Sequence, residues 1–100
     1  MKLIKPEDLA SLIEALQDPC HNASAEFVWE YDRARKTFGA FHNAHEGYAV
    51  LLEEVDELWD AIKAKHSTEH LRREAVQVGA MALAFVVECC DAPAAEAESH

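Results

Sequence analysis

From Ala75 to Val87 the chain carries one polar side chain, Gln77, and no feature constrains its fold more. The run belongs to a helix expected from about Glu69 to Cys90, and a helix that is apolar all round has to be enclosed on all sides. A chain of 100 residues in a few short helices buries only about 60–70% of its unfolded surface, too little to enclose such a helix alone. A partner subunit is the natural cover. The run also falls well short of the roughly 20 apolar residues that span a bilayer, and Met1 to Pro6 lacks the long apolar core of a signal peptide. Three Pro and three Gly leave little room for the turns of an all-β chain. The expectation is a cytoplasmic, all-α, single-domain protein that oligomerises through its third and fourth helices.

Three helices should precede that run. The first opens at Pro6-Glu7-Asp8, where proline suits the first helical position and carboxylates sit beside the positive helix end. It carries Leu9, Leu12, Ile13 and Leu16 on one stripe and stops at Asp18-Pro19. A short link, Cys20-His21-Asn22, should lead to a second helix holding Phe27, Trp29, Tyr31 and Phe38, with Gly39 as its C-terminal cap. The third helix has the clearest start, because Asn43 followed by Glu46 resembles a capping box. Along it Tyr48, Leu51, Leu52, Val55, Leu58, Trp59 and Ile62 recur at three- and four-residue intervals, which predicts one broad buried face. Residues 1–91 read as the domain and 92–100 as a disordered acidic tail.

The chemistry concentrates in the third helix. Five carboxylates lie between Glu53 and Asp60, and no Lys or Arg occurs from Glu46 to Ile62. At about 100° per residue Glu53, Glu57 and Asp60 cluster, with Asp56 on one flank and Glu54 on the other, at the edge of the apolar face. Like charges at these spacings oppose the helix by roughly 0.2–0.5 kcal/mol per pair. A helix built for solubility would intersperse Lys. A divalent cation would supply the missing charge: Mg²⁺ takes oxygen ligands and often completes its shell with substrate phosphates. The plain alternative is a solvated acidic face. Against it stand Glu74 and Gln77, which repeat the three-residue spacing at the entry to the apolar run. Antiparallel packing would face them toward Glu54 and Glu57. For Gln77 by itself a satisfied interhelix hydrogen bond serves as well, since an unpaired buried amide costs about 1–3 kcal/mol.

These residues resemble the signature of the MazG-like all-α nucleoside triphosphate pyrophosphohydrolases, which is Glu-x-x-Glu on one helix and Glu-x-x-Asp on the next. Glu54-Val55-Asp56-Glu57 matches the first half, and Glu74-Ala75-Val76-Gln77 the second except at its last position. The surrounding text, His45 to Trp59 and Gln77 to Ala82, is similar to short, phage-type members, and the likeness runs from about Phe38 to Val87. The resemblance implies a four-helix, bundle-like MazG-type domain completed by oligomerisation, as a homodimer or tetramer. It further implies Mg²⁺, with Mn²⁺ as the alternative ion, held by Glu54, Glu57, Glu74 and Gln77. The implied reaction cleaves an NTP or dNTP between the α and β phosphates to a nucleoside monophosphate and pyrophosphate. Glu53, Glu54 and Glu57 would serve catalysis, Glu53 by orienting water. Lys36, Lys63, Arg72 and Arg73 flank the acidic motifs and are the candidates for phosphate contact, with helix-end solvation as their plain alternative. Gln77 departs from the pattern: an amide oxygen can coordinate Mg²⁺ but brings no negative charge. A homologue that binds Mg²⁺-nucleotide with little turnover is therefore the first rival, and a purely structural helical oligomer the second.

Other features point to less. Nine Lys and Arg against nineteen Asp and Glu give a net charge of −10, which argues against a nucleic-acid polymer and an anionic membrane as partners. His42 and His45, like His66 and His70, could share a face, but no further Cys or His completes a tetrahedral zinc site at usual spacing. Three cysteines, two of them adjacent, imply no disulfide framework, and Cys89 and Cys90 read as small core or interface residues. Trp29, Tyr31, Tyr48 and Trp59 could stack on a base, yet their helical spacing assigns them to core packing.

Overall fold

The computed structural model describes residues 6–91, so the expected tail at 92–100 lies outside the described residues. Four α-helices follow one another: α1 (Pro6–Gln17), α2 (Pro19–Phe38), α3 (Ala44–Lys63) and α4 (Thr68–Phe85). A π-helical segment, Val86–Cys90, continues α4, closed by the Asp91 N–H donating to the Val86 carbonyl at 2.9 Å. The described residues contain no strand, so the all-α reading holds. No helix among them is long and apolar enough to cross a membrane.

The breaks follow local chemistry. Asp18 alone separates α1 from α2; its carboxylate accepts from the Cys20 N–H, and Pro19 takes the first helical position, where a missing N–H costs nothing. The expected link Cys20-His21-Asn22 is therefore the first turn of α2. Gly39 ends α2 at φ 75°, a backbone region in which a Cβ is strained. Asn43 caps α3 by accepting from the Glu46 N–H at 2.9 Å. The reciprocal half of the box is redirected: Glu46 Oε1 accepts from the His42 N–H, and Oε2 lies 2.8 Å from the His42 ring. Ser67 caps α4 by accepting from the His70 N–H.

Helix α4 is the central element, packed on α3 along one side and on α2 along the other, while α1 packs on α2. Small residues let the axes approach. A Cβ on Gly79 would come within 2.6 Å of the Phe27 ring, and one on Gly47 within 2.9 Å of Phe85. The buried apolar set is correspondingly slight: Ala34, Ala61, Ala80, Met81 and Ala84, with Phe41, Val50 and Leu51 packed around its centre.

That sparseness bears on two expectations. As expected, helix α4 is enclosed by this chain on part of its circumference only, with Ala82, Val86 and Val87 left exposed. Helix α3 has two apolar stripes in place of one buried face. Gly47, Leu51, Leu58 and Ala61 point inward with Glu54 among them, whereas Tyr48, Leu52, Val55, Trp59 and Ile62 lie about 100° away and are exposed. The aromatics follow suit. Tyr31 is half-buried, but Trp29, Tyr48 and Trp59 are 68%, 61% and 55% exposed, so core packing within the chain is not their role.

Candidate metal centre

The four-residue turn between α3 and α4 folds the two helices back on each other and fixes which carboxylates meet. Glu54 and Glu57, one turn apart on α3, face Glu74 near the start of α4, with ligand oxygens of all three within 4.8 Å of one another. Glu54 occupies the inward stripe, Glu57 borders it and is exposed, and Glu74 is half-buried. Among the described residues no Lys or Arg pairs with any of the three. The His70 ring lies against Glu74, its Nε2 3.4 Å from Oε1.

Such an arrangement opposes folding. Two unit charges at this separation repel by roughly 1–4 kcal/mol between the limits of bulk water and a protein surface. The consequence appears at Glu54, whose carboxyl is pushed from 4.5 up to about 7, first by burial and then by the charges of Glu57, Glu74 and Glu53 and a hydrogen bond with Glu57. A divalent ion fits this donor set: hard oxygen ligands, excess negative charge and one open, solvent-facing side.

The sign of the pH dependence follows. Below 4.5 the Glu54 carboxyl is protonated whether the chain is folded or unfolded. Between 4.5 and about 7 the unfolded chain has released that proton while the folded one keeps it, so stability falls as pH rises through this window. Above about 7 the full penalty is present. Mg²⁺ binds the ionised form, so its affinity should strengthen as pH rises, and binding at pH 6 should release close to one proton. Calorimetric titration of Mg²⁺ in two buffers of different ionisation enthalpy measures that release. Equal apparent heats in both buffers would contradict it.

A cleft of about 410 Å³ opens beside the carboxylates. Glu46, Glu53 and Glu54 of α3 line one wall and Arg33 and Arg35 of α2 the other, with Gln77, Phe38 and Phe41 between them. Glu54 thus belongs to both the carboxylate cluster and the cleft. Gln77 faces α2 as well as α3. Glu30, buried among the helices, is held below the ordinary carboxylate range by hydrogen bonds from Arg33, which outweigh its burial, with a further contribution from Gln77. Gln77 stands near enough to Glu30 to help hold that carboxyl down, across the gap between α4 and α2.

The four candidate phosphate cations do not line the cleft. Lys36 is exposed, Lys63 pairs with Asp60 and lies over the Trp59 ring, Arg72 pairs with Glu26 across to α2, and Arg73 lies 3.9 Å from Glu69. The cleft takes Arg33 and Arg35 instead. Sequence reasoning missed them because it ranked cations by their distance along the chain from the acidic motifs. Glu30 gave no signal, being one acid among many. Glu88 did give one: like Gln77 it is a lone polar residue against an apolar run.

Comparison with models of known families, with curated proteins and with solved structures finds no match.

Proposed function

We propose that this chain is a Mg²⁺-dependent nucleotide pyrophosphohydrolase of the MazG-like kind. The observation that supports it most is the carboxylate trio Glu54, Glu57 and Glu74, uncompensated by Lys or Arg among the described residues and sharing Glu54 with a cleft that Arg33 and Arg35 also line. Acid on one wall and base on the other suit a metal-complexed polyphosphate, whose ion and phosphate oxygens carry opposite charge. A bound divalent ion would neutralise charge developing on the phosphates. In this reading Arg33 and Arg35 hold phosphate oxygens, and Glu53, exposed at the cleft edge, accepts a proton from the attacking water. The water oxygen bonds to the α phosphorus, the bond from that phosphorus to its bridging oxygen breaks, and pyrophosphate leaves with the electron pair. The test is pyrophosphate release from a panel of NTPs and dNTPs with and without Mg²⁺, beside a Glu57→Ala control. Metal-dependent release lost in the control supports the enzyme; silence from folded protein overturns it.

One observation favours a second reading, a Mg²⁺-nucleotide-binding homologue with little turnover. Gln77, where the resembled family has aspartate, lines the cleft beside Glu54 and brings no charge to it. A Gln77→Asp variant separates the two. Its new carboxylate would lie against Glu30, so the metal-free protein should melt at a lower temperature while its stabilisation by millimolar Mg²⁺ grows. Turnover appearing only in the variant would identify the native chain as the binding homologue.

We also infer that a second copy of this chain covers the outer stripe of α3, in a cytoplasmic protein whose cysteines stay reduced. The stripe's residues Tyr48, Leu52, Val55, Trp59 and Ile62 are all exposed, though every one of them is large and apolar or aromatic.

A further inference from the structure

The π-helical segment after α4 carries Glu88, whose side chain is only 9% exposed and meets three groups from elsewhere in the chain. Tyr31 O–H donates to Oε2 and the Phe41 N–H donates to Oε1, each at 2.9 Å, and Arg35 Nε lies 2.6 Å from Oε2. The i→i+5 winding offsets Glu88 from the register of a continued α-helix, and such turns recur at functional sites. Arg35 is further fixed by two rings, its guanidinium carbon standing 5.5 Å from the Tyr31 centroid and 4.9 Å from that of Phe41. Glu88 Oε2 forms a close ion pair at the buried Nε without lining up on its N–H, and among the described residues no hydrogen bond of the Nη groups is found. Arg35 lines the cleft opposite Glu53 and Glu54.

We propose that Arg35 is the phosphate receptor of this cleft and that Glu88 is its positioning residue, holding the guanidinium so that its Nη groups meet the terminal phosphates of a metal-complexed polyphosphate. The metal complex follows from the opposite wall, because Glu46, Glu53 and Glu54 would repel a bare anion. Fixing the guanidinium beforehand removes the ordering cost that a free arginine meets on binding. The proposal rests on the metal reading for its ligand class but not for the receptor itself.

The probe is inorganic pyrophosphate, titrated calorimetrically with and without Mg²⁺ into wild type, Arg35→Lys and Glu88→Gln, with Mg²⁺ alone titrated into each. Glu88→Gln keeps the shape and an acceptor for the Phe41 N–H but loses the charge facing Arg35. Both variants should bind Mg²⁺-pyrophosphate at least about tenfold more weakly, with affinity for Mg²⁺ alone within about twofold of wild type. A Glu88→Gln protein with a lowered melting temperature but unchanged pyrophosphate affinity would reduce Glu88 to a structural brace and overturn its positioning role. Unchanged affinity in Arg35→Lys overturns the receptor while leaving the metal site standing. Wild type that binds no Mg²⁺ overturns the metal reading. The receptor then stands if pyrophosphate alone binds and Arg35→Lys weakens it, and falls if pyrophosphate is silent.

Discussion

Replacing Glu54 with Gln should make the metal-free protein more stable and the metal-loaded protein inactive. The substitution keeps the shape of the side chain on the inward stripe of α3 while removing one charge from a trio within 4.8 Å. Relief of that repulsion, discounted for the solvent that reaches the group, is worth on the order of 1 kcal/mol. Two readouts should then move in opposite directions. The melting temperature without metal rises above wild type, and the increment gained from millimolar Mg²⁺ disappears. Pyrophosphate release, if the proposed activity is present, falls by at least about a hundredfold, the usual scale for removing a group that places charge against a reacting phosphate. A surface cluster serving solubility would give the first effect without the second. Wild-type melting that is indifferent to Mg²⁺ would falsify the metal reading, since a ligand that binds only the folded state must raise its stability. The pH dependence should vanish in the same variant. The fall in stability between 4.5 and about 7 belongs to Glu54, and an amide does not titrate there.

How much of this centre was legible beforehand turns on the kind of contact involved. Glu54, Glu57 and Glu74 could be grouped from spacing alone, because two antiparallel helices joined by a short turn permit few registers and the caps Asn43 and Ser67 fix where each helix begins. The opposite wall could not be read this way. Arg33 and Arg35 reach the cleft because α2 packs on α4, and no local pattern encodes that pairing of distant segments. The same limit explains the missed link: an aspartate followed by proline reads as a stop, yet the pair equally opens the next helix. Helix α3 failed differently. Most of its large apolar positions were identified, with Val50 and the small Gly47 and Ala61 left out, but a three- and four-residue period is satisfied both by one wide stripe and by two adjacent ones. Only the position of α4 decides which residues it covers. Glu54 looked like the edge of an apolar face and stands within the inner stripe, which is why burial is the largest cause of its raised pKa.

The outer stripe supplies the other large effect, because its value depends on whether anything covers it. Tyr48, Leu52, Val55, Trp59 and Ile62 are spaced four, three, four and three residues apart, the repeat of a helix–helix seam. The five residues pair about Val55, so a two-fold axis through that point sets Leu52 of one copy against Trp59 of the other and closes the interface on itself. A Leu52→Asp variant reads the difference. In an isolated chain Leu52 is 41% exposed, and a change there should alter stability by no more than about 0.5 kcal/mol. In a seam it buries an unpaired carboxylate against Trp59 of the other copy, and should cost about 3–5 kcal/mol of assembly stability. Sedimentation equilibrium should show wild type as a dimer or larger and the variant as a monomer. The variant should also melt well below wild type, since the small residues of the α2–α3–α4 core leave no large side chain fully buried within one chain. A monomeric wild type, or a variant that assembles and melts like it, would show that the stripe is not a seam between copies.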